Sequence, residues 1–125
     1  MSIEDILAQV RTQLEEKIKR QLFGLQGIVV KPLYNSLMPM HVEILTDPEA
    51  FELVLLSDGF IELKPGQSSA PDLRIESDAE MLRNLFENPD VDRFKDLEKQ
   101  SRITITALTR KGIEAEAYIR RYLNR

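Results

Sequence analysis

Few residues in this chain have both the type and the spacing for catalysis. There is one histidine, His41, and no cysteine, so thiol nucleophiles, disulfides and cysteine-ligated metals are excluded. His41 lies beside Glu43 on an alternating stretch; one imidazole and one carboxylate can hold a proton but are too few ligands for a closed zinc site. Asp90, Asp92, Asp96 and Glu98 form an acidic cluster, and Asp92 and Asp96 are spaced to share one helix face. Paired acids of that kind serve in hydrolases. Here no nucleophile or glycine-rich loop accompanies them, so the cluster reads as a solvated helix face. No Walker, Rossmann or nucleophile-elbow motif is present, and no cofactor or resident metal is expected. Basic residues gather late, at Arg102, Arg110, Lys111, Arg120, Arg121 and Arg125, and on the last helix they interleave with Tyr118 and Tyr122. That pattern suits an anion, although the helix dipole alone favours cations there. With 17 basic against 21 acidic side chains the net charge is −4, which argues against a nucleic-acid partner. The composition therefore points away from an enzyme.

The elements that would position these residues are legible from periodicity. The 125 residues suit one domain spanning 1–125, large enough for a core of its own. Ile3, Ile6, Leu7, Val10, Leu14, Ile18 and Leu22 fall on one stripe of a helix capped by Ser2, with Glu15–Lys19 and Glu16–Arg20 as exposed ion pairs. The period then becomes strand-like. Ile28 to Val30 forms a short β-branched run that Pro32 ends, followed by a loop from Leu33 to Met40. Val42 and Ile44 alternate with His41 and Glu43. Phe51 to Leu56 is a buried strand, Ser57-Asp58-Gly59 a hairpin turn, Phe60 to Lys64 the return strand, and Asp72 to Glu76 a further strand. Ser77 to Glu80 has capping-box spacing and opens a helix bearing Met81, Leu82, Leu85 and Phe86. A second short helix carries Val91, Phe94 and Leu97. Arg102 to Leu108 alternates as a last strand, and Thr109 can cap a final helix whose apolar face holds Ala115, Tyr118, Ile119, Tyr122 and Leu123. Tight turns between most strands predict a mainly antiparallel sheet of about five strands. Helices, including the N- and C-terminal ones, pack on one face, an α+β fold. No run is long enough to span a membrane, and the acidic, amphipathic N-terminus is unlike a signal peptide, which predicts a cytoplasmic protein.

In this order the strand FELVLL, the turn SDG, the return FIELK, the segment PDLRIESDAEMLRNL and the strand RITITAL resemble a sterol carrier protein type 2 (sterol-transfer) domain. The resemblance covers the chain from about Val42 to Leu123. One departure stands out. Where that family has glycines flanking the last strand, this chain reads Lys99-Gln100-Ser101-Arg102 before it and has no glycine after it until Gly112. The resemblance implies a hydrophobic cavity between sheet and helices holding a lipid or acyl chain, acyl-CoA, sterol or isoprenoid. The residues expected to line it are Leu82, Leu85, Phe86, Phe94, Leu97, Tyr118, Ile119, Tyr122 and Leu123, with Arg120 and Arg121 at the headgroup and Met38 and Met40 over an opening. The same apolar stripes suit a filled core equally well. The alternative is therefore an interaction module of the same fold, using a sheet edge or apolar patch to form a homodimer.

Overall fold

The computed structural model describes residues 3–22, 27–46, 49–87 and 91–123. The predicted first helix is α1 (Ile3–Leu22). Ile3, Ile6, Leu7 and Leu22 of its stripe are buried, and Leu14 and Ile18 pack against the core at its margin. Its polar face is used differently from the expected exposed pairs. Glu15 accepts the Ile61 N–H at 2.7 Å and pairs with Arg11 at 3.6 Å, while Lys19 stands over the Phe60 ring at 3.9 Å. These contacts bind α1 to a sheet edge.

The stretch read as a β-branched strand ended by Pro32 is instead a helix, α2 (Gly27–Ser36), with Pro32 inside it. Pro32 is the sixth residue of this helix, past the first turn, so it forgoes the bond that an N–H there would make to the carbonyl four residues back. Tertiary contacts then hold the helix in place. The Asn35 side-chain oxygen accepts the Asp58 N–H at 3.1 Å, Lys31 lies 3.4 Å from Asp58, and Tyr34 Oη donates to Leu56 O at 3.4 Å. Burial pushes the Tyr34 phenol up to about 12. The side chains of residues 27–30 lie outside the described set.

The strands β1 (Met40–Leu45), β2 (Ala50–Leu55) and β3 (Ile61–Pro65) form an antiparallel meander. The predicted SDG turn is a single 3-10 turn, in which Asp58 and Gly59 take positive φ of 63° and 87°. Strand β4 (Leu73–Ser77) then crosses to the far side of β1 and runs parallel to it, and β5 (Ile103–Ala107) pairs antiparallel with β4. The sheet order is β3-β2-β1-β4-β5, mixed but mostly antiparallel. Between β4 and β5 lie α3 (Ala79–Glu87) and α4 (Val91–Lys99), and α5 (Arg110–Leu123) ends the described fold. The cap of α3 is Asp78, not Ser77: Asp78 Oδ1 accepts the Met81 N–H at 2.8 Å, while Ser77 Oγ donates to Arg102 O. None of the described helices is long and apolar enough to cross a membrane.

Alternation along the strands puts Met40, Val42, Ile44, Phe51, Leu53, Ile61 and Leu73 on the helix-covered face, where they form the main core with Ile3, Leu7 and Leu82. Met40 is therefore fully buried in the core and not over an opening, while Met38, partly buried, packs against the same core. A second, smaller cluster joins Leu85, Leu97 and Ile103, with Ile75, Met81 and Phe94 against it.

Asp72, just before β4, connects three elements. Its N–H donates to His41 O at 2.8 Å and its Oδ2 accepts the His41 N–H at 2.9 Å. Its carbonyl accepts the Leu108 N–H at 2.9 Å, and its Oδ1 accepts from Thr109 Oγ1 at 2.6 Å. Thr109 Oγ1 in turn accepts the Gly112 N–H at 3.1 Å, so the expected cap of the last helix is present. It also accounts for the glycine in the first turn of α5. A Cβ at position 112 would stand 2.0 Å from Asp72 O.

At the start of β5, where the family carries glycine, Ser101 itself takes the left-handed conformation at φ 59°. The Arg102 N–H reaches back to Leu97 O at 2.9 Å and the Ser101 N–H to Glu98 O at 3.0 Å, the paired bonds of a Schellman helix end.

Two stability predictions follow from these backbone positions. Gly112→Ala should cost at least about 2 kcal/mol by urea unfolding, because the clashing atom is backbone and the strand end would have to shift. Ser101→Gly should instead raise stability by about 0.5 kcal/mol, since relief of left-handed strain exceeds the entropy glycine adds to the unfolded chain. A destabilised Ser101→Gly variant would contradict this account of the turn.

Candidate functional site

The residues expected to line a cavity come from α3, α4 and α5, and the structure divides them. Leu82 faces the main core, whereas Leu85, Leu97 and Phe94 belong to the smaller cluster against Ile103. Ile75, on the helix-covered face of β4, touches both clusters. The side chains of Phe86, Tyr118, Ile119, Arg121, Tyr122 and Leu123 lie outside the described residues.

How α5 is seated can be followed from its described contacts. At its start Thr109 and Gly112 lock against Asp72, and Lys111 donates to Pro39 O and stands 3.8 Å from Asp72 Oδ2. Toward its end Arg120 pairs with Glu98 of α4 and, at 3.3 Å, with Glu116. Hydrogen bonding to Glu98, outweighing partial burial, holds the Arg120 guanidinium above its ordinary pKa. The side chain expected to meet a headgroup is thus engaged within the protein. Between these two polar attachments the described side chain packed on the core is the small Ala115. Ile113 is 61 % exposed.

Two open, mostly polar clefts adjoin the start of α3 and the turn before β5. One of about 610 Å³ is lined by Asp78, Asn84, Arg93, Leu97 and Arg102 among others, and the other, of about 660 Å³, by Thr46, Glu76, Ser101, Arg102 and Thr104 among others. Arg102 borders both. The sequence reading grouped Arg102 with the late basic residues but had no local signal for its place at this turn, which depends on the backbone of Ser101.

On the uncovered face of the sheet, His41 partners Glu52 and not its neighbour Glu43. His41 Nδ1 lies 3.0 Å from Glu52 Oε2, and Ser68 Oγ donates to the same oxygen. Glu43, 3 % exposed, is bonded to Arg74 Nε at 2.7 Å and accepts the Ser68 N–H at 2.8 Å. The loop after β3 thus folds back over a row of cross-strand charges. Ser68 and His41 both point to the carboxylate rather than to each other, which is not the geometry of an activated nucleophile. Asp92 and Asp96 are exposed on α4, and Asp90 lies outside the described residues. Among the described residues no three His, Asp or Glu side chains converge as metal ligands.

Two of these carboxyls carry stability that depends on pH. The Ser68 hydrogen bond holds Glu52 below the usual carboxylate range against the opposing effect of burial. For Asp72, burial acts upward, but the His41 N–H, Thr109 and Lys111 together outweigh it and hold the group low. A depressed folded pKa means that this stabilisation is complete above the unfolded value, near 4, and is lost as pH falls through the folded value. Glu52→Gln should therefore be less stable than the parent at neutral pH by about 1 kcal/mol. The gap should close as pH falls below about 4. Urea midpoints at stepped pH would show this; a gap independent of pH would contradict the assignment.

No protein-family model and no curated protein matches the sequence significantly. Solved structures do match the fold. A structure described as the UbiJ-SCP2 ubiquinone synthesis protein aligns with a TM-score of 0.51 at 13% identity, covering 85% of this chain and 89% of that one. The solution structure of palmitated SCP2L2 from Aedes aegypti aligns with a TM-score of 0.50 at 17% identity, covering 100% of this chain and 96% of that one. The chain has the fold of a sterol carrier protein type 2 domain, as its strand order and turns led us to expect.

Proposed function

We propose that this domain is a non-enzymatic carrier of an amphiphile with a long apolar chain, held between the sheet and its helices, with α5 as the element that admits it. One observation carries the reading: α5 is joined to the rest of the fold near its two ends by polar contacts, Thr109 with Asp72 and Arg120 with Glu98. A chain lying beneath it would touch Leu82 on one side and Leu85, Phe94 and Leu97 on the other, with Phe86, Tyr118, Ile119, Tyr122 and Leu123 as the remaining lining. Arg121 would meet the headgroup, joined by Arg120 once it leaves Glu98. The fold is shared with a protein whose solved structure is described as palmitated, which makes a fatty acyl chain the first ligand to try. Desolvation supplies the affinity. Each buried methylene contributes about 0.8 kcal/mol, so a ~16-carbon chain has on the order of 12 kcal/mol gross, of which ordering and lost freedom consume a large part. Micromolar binding is the expectation.

A second reading, an interaction module with a closed core, draws on the burial of Leu82, Leu85 and Leu97 against protein in this structure. The two separate cleanly. Native mass spectrometry of protein purified from its host should show a bound amphiphile, and a fluorescent fatty acid should titrate with micromolar Kd. Ala115→Phe, which would occupy the position proposed for the chain, should weaken that titration at least tenfold while the protein still unfolds cooperatively. Absence of any co-purified chain, together with no fatty-acid binding at micromolar protein, would sink the carrier reading.

A further inference from the structure

We propose that the free edge of β5 is a contact surface for a second copy of this chain, joined by antiparallel pairing of Ile103–Ala107 with its twofold equivalent. The inference stands apart from the carrier reading and rests on backbone accounting. The bond from the Leu108 N–H to Asp72 O at 2.9 Å, with the register Leu73↔Ala107, fixes which β5 residues exchange ladder bonds with β4. They are Thr104 and Thr106, opposite Glu76 and Arg74. Ile103, Ile105 and Ala107 therefore turn their N–H and C=O groups to the other side. β5 ends the sheet order on that side, and no described residue hydrogen-bonds to those groups there. Three donors and three acceptors stand in a row, the arrangement that invites another strand.

The opposite edge of the sheet is treated differently. On β3 the outward Ile61 N–H is taken by Glu15 and its carbonyl by Arg11 at 3.5 Å. Pro65 brings no N–H, and Glu62 and Lys64 charge the strand between. Among the described residues β5 has none of these protections. Its sequence, ITITA, contains neither charge nor proline.

The strand is also self-complementary. Centred on Ile105 against Ile105 of the second copy, Ile103 pairs with Ala107 and Thr104 with Thr106, so every outward N–H meets an outward C=O and no like charges are opposed. Immediately beyond the strand, Leu108 and Ile113 are two of the large apolar side chains left exposed.

Sedimentation equilibrium from micromolar to millimolar protein should show a monomer–dimer equilibrium. Amide exchange at Ile105 and Ala107 should slow as concentration rises. The double variant Thr104→Lys with Thr106→Lys sets like charges opposite each other across the twofold and should weaken association at least tenfold. Thr104→Lys with Thr106→Glu sets opposite charges across it, and also opposite Glu76 and Arg74 within the sheet, and should retain the dimer. A monomer throughout the range, amides indifferent to concentration, a double-lysine variant that dimerises unchanged, or a lysine–glutamate variant that fails to dimerise would each overturn the proposal.

Discussion

The arrangement of this fold depends on the buried carboxylate of Asp72. Through its backbone and side chain it ties the start of β1 to the start of β4, fixes the end of β5, and reaches the threonine that caps α5. A nearly fully buried carboxylate is costly unless its oxygens are occupied, and here each oxygen has a donor. Removing any one donor leaves part of that cost unanswered, so the contacts stand or fall as a set. Gly112 belongs to the set as well, since the helix can approach the Asp72 carbonyl so closely only where no side chain intervenes.

The two faces of the sheet follow different rules. The covered face is apolar and divided into two clusters, with Ile75 in contact with both. The uncovered face carries charges in register across strands, and Glu43 is buried there because Arg74 and the Ser68 backbone complete it. Apolar surface is thus concentrated on the helix side of the sheet.

Much of the architecture was legible in the residues themselves. The α1 stripe, the SDG hairpin, the alternation of β5 and the Thr109 cap depend on neighbours within a turn or two, and periodicity reports such neighbours directly. What escaped depends on distant partners. The segment from Gly27 to Ser36 has β-branched residues and a proline, so local preference opposes a helix; contacts of Lys31, Tyr34 and Asn35 with the β2–β3 turn decide otherwise. Spacing marked Ser77 as the cap of α3, and only the position of Arg102 shows why that serine is used elsewhere while Asp78 caps the helix. At the candidate site, the apolar stripes marked Leu82, Leu85, Phe94 and Leu97 as inward-facing. Their division between two clusters, and the capture of Arg120 by Glu98, depend on how α3, α4 and α5 pack and leave no local trace.

The parallel pairing of β1 with β4 has a kinetic consequence. Every other strand pair joins sequence neighbours: β1, β2 and β3 through short turns, and β4 with β5 across the α3–α4 pair. At the β1–β4 seam Val42 lies against Leu73 and Ile44 against Ile75, and it closes a stretch of chain about as long as the one closed by β4 and β5. Loop-closure entropy grows only slowly with chain length but must be met before a distant pair gives any return. The meander, closed by short turns, makes the lower demand of this kind. Joining β4 to β1 is the step that brings the Asp72 hub and the seat of α5 together.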